Sequence, residues 1–126
     1  MYKTGISYNI VVYGHKGINT GKDFFFMKTG ILVEGGGMKD AYCAGVLDAF
    51  LDKNINFDYA IGVSAGSTCL ASFLAGQRDR NRRFFTVHPK YPEYFGLYAY
   101  LKSGDIFNMH YIYDTLTNEG GGDPLD

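Results

Sequence analysis

Gly62-Val63-Ser64-Ala65-Gly66 is the stretch whose reading decides the fold. It follows a short apolar run, Tyr59-Ala60-Ile61, and precedes Thr68-Cys69-Leu70-Ala71-Ser72-Phe73-Leu74-Ala75. That context predicts strand, sharp turn, helix. A Gly-x-Ser-x-Gly pentapeptide so placed reads as a nucleophile elbow. Gly62 and Gly66 keep side chains out of the turn, and Ser64 stands at a strand end and a helix N-terminus. The helix dipole and free backbone N–H groups there favour developing negative charge. The plainer reading is a glycine-rich turn that happens to contain serine. The neighbouring sequence has to decide.

Upstream, Gly30-Ile31-Leu32-Val33-Glu34 is nearly continuous in apolar residues, as suits a buried strand of a parallel sheet. Gly35-Gly36-Gly37 follows at once, and a helix is expected from near Met38. On a helical wheel Tyr42, Val46, Ala49 and Phe50 share one arc, with Asp40, Asp48 and Asp52 on the other. This predicts an amphipathic helix of about four turns. Asn54-Ile55-Asn56 closes it, Phe57 to Ile61 is the next strand, and the elbow helix ends near Gly76. A crossover helix between two short apolar strands implies parallel pairing and a right-handed connection. The glycine loop and the elbow then both sit at strand carboxyl ends, the edge where α/β sheets bind ligands. Gly37 and Ser64 are 27 positions apart in sequence yet are expected to be neighbours in space.

A serine hydroxyl needs a base to take its proton and donors aimed at the oxyanion. The backbone N–H groups of Gly35, Gly36 and Gly37 can approach a substrate oxygen closely, and Lys39 adds positive charge nearby. A dinucleotide-type phosphate loop is the competing reading. Gly35-x-Gly37 matches only its first half, and Asp40 stands where the third glycine belongs. A carboxylate there would repel a pyrophosphate, and no P-loop sequence is present. The base is harder to place. His88 and His110 lie downstream of Ser64, but neither sits in a recognisable strand-end loop, and each reads better as a surface or packing histidine.

The chain has 126 residues, 46% hydrophobic and 20% charged, which suits one globular domain. A net charge of −1 leaves no electrostatic footprint for nucleic acid. Cys43 and Cys69 sit in apolar segments without Cys-x-x-Cys spacing and read as buried thiols in a reducing compartment. No apolar run is long enough to span a membrane and no signal-peptide pattern opens the chain, so a cytoplasmic location is expected.

Residues 1–26 look unlike the rest. Ile10-Val11-Val12-Tyr13 has strand character and Phe24-Phe25-Phe26 is an apolar knot without period. Met27 reads as the natural start and residues 1–26 as an extension, with a genuine edge strand as the alternative. Gln77-Arg78-Asp79-Arg80-Asn81-Arg82-Arg83 reads as a solvated basic turn; an anionic-lipid contact is the sharper option. Residues 84–113 are dense in aromatics, among them Phe84, Phe85, Tyr94, Phe107 and Tyr113. They are expected to form short helices and loops packed over the core, with a lid or lipid-contacting surface as the sharper option. The tail, Asn118 to Asp126, has loop composition.

Three blocks together carry a family resemblance: Leu32-Val33-Glu34-Gly35-Gly36-Gly37-Met38-Lys39, then Ala44-Gly45-Val46-Leu47-Asp48-Ala49-Phe50, then Phe57-Asp58-Tyr59-Ala60-Ile61-Gly62-Val63-Ser64-Ala65-Gly66. Residues 28–126 resemble the N-terminal half of a bacterial patatin-like phospholipase. The resemblance implies an α/β fold, a three-layer α/β/α domain with a mainly parallel sheet. It implies a Ser–Asp dyad without histidine, a lipid or acyl-ester substrate, and no cofactor or metal. Ser64 matches the nucleophile, with Gly62 and Gly66 as the elbow glycines; Gly35, Gly36, Gly37 and Lys39 match the oxyanion loop. The family has glycine where this chain has Asp40, a modest departure at the helix start. The dyad aspartate belongs to an Asp-Gly-Gly or Asp-Gly-Ala motif that this sequence lacks, since Pro124 follows Asp123. Residues 27–126 are therefore expected to be the N-terminal part of the domain, with the chain stopping about midway through it. The expected function is serine-dependent lipid acyl hydrolysis, with peripheral membrane contact in view. A catalytically inactive remnant or lipid-binding module is the alternative.

Overall fold

Two strands from the glycine-punctuated core, β3 (Met27–Val33) and β4 (Tyr59–Gly62), lie side by side and parallel. Gly30 stands opposite Tyr59 and Val33 opposite Gly62. These coordinates, a computed structural model, describe residues 2–5, 10–16, 27–118 and 122–125. The start of β4 is clamped to β3: the Asp58 N–H donates to the Thr29 carbonyl at 2.9 Å, and the Thr29 N–H donates to the Asp58 carboxylate at 2.6 Å. The outer edge of β3 carries β2 (Ile10–Lys16), antiparallel, with Ile10 opposite Val33 and Lys16 opposite Met27. β1 (Tyr2–Gly5) pairs antiparallel with β2, giving the order β1-β2-β3-β4. Ile10 is buried in the core, so the segment read as an extension contributes to the sheet. The Phe24-Phe25-Phe26 run lies outside the described residues.

A 3-10 turn, Gly37–Asp40, leads into α1 (Ala41–Asp52). α1 closes as a Schellman motif: Asn54 takes a left-handed φ of 53°, the Ile55 N–H reaches the Phe50 carbonyl, and the Asn54 N–H reaches that of Leu51. Its buried stripe is Cys43, Ala44 and Leu47, with Val46, Phe50 and Leu51 partly buried. This corrects the expected wheel. Tyr42 and Ala49 face outward, and Asp40 is fully buried instead of lying on a polar arc. Small Cys43 and Ala44 allow close helix approach, and Asp40 precedes the helix in a turn that swings its carboxylate inward to accept the Gly36 N–H at 3.1 Å.

α2 (Ala65–Leu74) follows β4 and closes the same way, with Gly76 at φ 69° and the Gln77 N–H on the Ser72 carbonyl. One apolar cluster joins Ile31 and Val33 of β3, Cys43 and Leu47 of α1, and Cys69, Leu70 and Phe73 of α2. Both helices therefore cover the same face of the sheet. On the opposite face Tyr59 and Ile61 are 57% and 59% exposed. The described residues thus form two of the three layers that the resemblance implies. Both cysteines are buried, and burial pushes the Cys69 thiol up to about 12.

The basic cluster is partly solvated, with Arg78 and Arg82 more than half exposed, but it is not a free cationic patch. It begins α3 (Arg80–Thr86), and its charges are used internally. Arg78 pairs with Asp52, Arg82 with Asp79, and Arg83 with Asp123. Arg80, 2% exposed, donates to the Ser72 hydroxyl at 2.7 Å and to the Asp123 carbonyl, and lies over the Phe84 ring. The aromatic stretch forms short pieces, as expected: a 3-10 turn at His88–Lys90, α4 (Leu97–Ser103), and a π-helical turn at Tyr111–Thr115. Phe84, Tyr94, Ile112 and Leu116 make a second small core.

Candidate active site

Ser64 occupies the junction of β4 and α2 with φ 50° and ψ −128°. Among the described residues the other non-glycine positive φ values belong to Asn54 and Asp79, residue types that tolerate that region. A serine there carries strain of about 1–3 kcal/mol, held only if its surroundings over-determine it. They do: the Val63 N–H donates to the Val33 carbonyl, the Gly66 N–H to that of Val63, and the Ser67 N–H and hydroxyl to that of Ser64. Ser64 sits at the N-cap of α2, but its hydroxyl makes no capping bond and is exposed.

Three glycines are required here by close approach. A Cβ on Gly62 would meet Ser67 Cα at 2.5 Å, and one on Gly66 would meet the Val33 and Glu34 carbonyl oxygens at 2.5 and 2.6 Å. A Cβ on Gly35 would lie 2.7 Å from Ser64 Cβ and 3.4 Å from its Oγ. The glycine loop and the serine turn are thus in contact. Gly37 needs its glycine for a different reason, a φ of 55° with open space beside it. The Gly36 amide is engaged by Asp40, so Gly36 orders the loop, while Gly35 touches Ser64 and Gly37 lines the cavity beside it. Lys39 is exposed, outside the cavity wall.

A cavity of about 220 Å³ opens beside Ser64. Ser64, Ala65 and Thr68 of the first turns of α2 form one wall with Gly37 and Met38. Phe84, Phe85, Tyr94 and Phe107 also line it, with Met109, Ile112 and Tyr113. Thr68 and the aromatic wall were not singled out as site residues from sequence. Thr68 had one usable signal, its place four residues after Ser64, one turn along the same flank. The aromatics are indistinguishable by type from core packing.

No carboxylate or imidazole among the described residues lines this cavity. Burial pushes the Tyr94 phenol up to about 12, so it is neutral and cannot serve as a base near neutral pH. His88 is buried and its Nε2 is 2.7 Å from Asp123 Oδ2; His110 is exposed and lies 3.2 Å from Asp114. Burial alone would raise the Asp123 carboxyl, but hydrogen bonds from Arg83 and His88 outweigh it and hold it below the usual carboxylate range. Asp123 is therefore a tail fastener, only 2% exposed. Among the described residues no cluster of His, Cys, Asp or Glu could hold a metal ion, and no helix is long and apolar enough to cross a membrane.

No solved structure gives a significant match. The chain is 27% identical over 90 residues to the uncharacterized protein YjjU of Escherichia coli strain K12, covering 71% of this chain and 25% of that protein. The chain thus spans about a quarter of the length of the curated relative it matches. A family profile for patatin-like phospholipase matches residues 31–123, from β3 through both glycine motifs to the Asp123 fastener, and by that match the chain belongs to the patatin-like phospholipase family.

Proposed function

We propose that these residues carry the nucleophile half of a serine-dependent lipid acyl hydrolase. The observation that carries the reading is Ser64 itself, held at φ 50° with an uncapped hydroxyl beside an apolar cavity. Ser64 Oγ attacks the acyl carbonyl, and its proton passes to an aspartate contributed by the remainder of the domain. The free amides of the Gly35–Gly37 loop stabilise the oxyanion, with Gly36 held by Asp40 and the Lys39 charge acting from outside the cavity wall. Collapse of the tetrahedral species breaks the ester C–O bond, and the proton returns to the departing alcohol. Water then cleaves the acyl-enzyme by the reverse assignments, releasing the fatty acid. The exposed Tyr59 and Ile61 face of β4 supports a further layer covering the sheet. Peripheral membrane contact belongs to the same proposal, supported by Leu97 and Leu101, each 74% exposed on α4, with Tyr98 and Ile106 beside them. Fluorophosphonate labelling tests the assignment: labelling that survives Ser64→Ala overturns it.

One observation favours a second reading, a catalytically inactive remnant or lipid-binding module. The cavity wall holds no base among the described residues. An ester-hydrolysis assay on this chain, beside the chain extended downstream, separates the two. Turnover by the short form excludes the remnant reading.

A further inference from the structure

We infer that Tyr113 sets the length of acyl chain the cavity accepts, closing it through a hydrogen bond to Thr68; this rests on the reading of Ser64 as the serine that is acylated. Thr68 Oγ1 and Tyr113 Oη are 3.1 Å apart, and both residues line the cavity with Ser64. Thr68 lies four residues beyond Ser64, on the flank of α2 that lines the same cavity. A chain whose carbonyl carbon rests on Ser64 meets this polar bar as it runs along that flank. The bond lies at an exposed part of the cavity lining and holds the Tyr113 ring beside Thr68.

Tyr113 is placed by the π-helical turn Tyr111–Thr115, a rare conformation found frequently at functional sites. The turn is fastened on both sides. The Tyr111 N–H donates to the Asn108 side chain at 3.0 Å, and the Thr117 hydroxyl donates to the Ile112 carbonyl at 3.1 Å. Ile112, buried on the same turn, also lines the cavity.

The volume gives the length. An apolar cavity of about 150 Å³ accepts benzene. Scaling by carbon count, the 220 Å³ here holds about eight or nine carbons. Each methylene buried tightens binding about fourfold, and each left in water adds nothing.

The test is a titration of hexanoate, octanoate, decanoate and dodecanoate into the chain carrying ¹³C-methyl methionine. Met38 and Met109, two of the four methionines, line the cavity and report occupancy without turnover. The wild-type Kd is expected to fall about fourfold per methylene up to octanoate and less than twofold per methylene from decanoate to dodecanoate. Tyr113→Ala is expected to keep the fourfold steps through dodecanoate. Thr68→Val, which removes the tether and leaves the ring, moves the break the same way by a smaller amount and serves if Tyr113→Ala does not fold. Equal steps through dodecanoate in the wild type, or a break that neither variant moves, overturn the length assignment while leaving acyl binding intact. Met38 and Met109 signals that no acid moves overturn both this inference and the acyl-site reading.

Discussion

Gly35 lies against Ser64, so close that a methyl group on its α-carbon would come within 2.7 Å of Ser64 Cβ and 2.9 Å of the Val63 carbonyl oxygen. Backbone and a strained serine stand on the far side, so neither can yield cheaply. Gly35→Ala is expected to cost about 1–3 kcal/mol in urea denaturation, as overpacking does. It is also expected to reduce fluorophosphonate labelling of Ser64 at least tenfold. Wild-type stability in the variant would mean that the two loops are not in contact.

Ser64 pays for its position with backbone strain. Ser64→Gly removes the side chain that makes φ 50° unfavourable, whereas Ser64→Ala keeps a Cβ and loses no capping bond. The expected result is that Ser64→Gly is more stable than Ser64→Ala by about 0.5–1 kcal/mol, with labelling abolished in both. Thermal or urea unfolding of the pair measures it, and an Ala variant as stable as the Gly variant would contradict a strained turn.

How much of this was legible in sequence follows from where each constraint lives. The serine turn and glycine loop were readable because their demands are local: a strand end, a glycine and a helix start in succession. Their contact was readable too, since a crossover helix fixes which strand ends are neighbours. The face of α1 was misjudged because its core side is built from small Cys43 and Ala44 with Leu47, while larger Tyr42 points outward. Asp40 looked solvated because its partner, the Gly36 amide, is a backbone group that carries no sequence signal. The arginines of α3 looked like a surface cluster for a similar reason: Asp123, one of their partners, lies 40 residues beyond Arg83.

The Asp123 fastener makes stability depend on acid. Hydrogen bonds from Arg83 and His88 depress its carboxyl pKa in the folded state, so the unfolded chain takes up the proton first as pH falls. The contribution is present above the ordinary carboxylate pKa of about 4 and is lost as pH drops through the lower folded value. Asp123→Asn is expected to lower stability by about 1–3 kcal/mol at pH 7. The gap between wild type and variant is expected to narrow below about pH 4. Urea titrations at pH 3 to 7 measure that difference; a gap independent of pH would rule out a charged clasp.

Residues 1–26 stand outside the family match, and we propose that they are an accessory to the domain that begins at Met27. Their deletion removes β1 and β2 and bares the edge of β3. Bare edges invite pairing between chains. The expected result is retained helical circular dichroism with a shift to larger species on size exclusion. Complete unfolding would make β2 an essential strand.

The central claim is that Ser64 is the nucleophile, and peptide mapping after fluorophosphonate treatment tests it most directly, on this chain and on the chain extended downstream through the rest of the domain. The account predicts an adduct on the Ser64 peptide alone, absent in Ser64→Ala, and forming about 10²–10⁴-fold faster in the extended chain, where the base is restored. An adduct on Ser67, Ser72 or any other residue, or one that persists in Ser64→Ala, would contradict it.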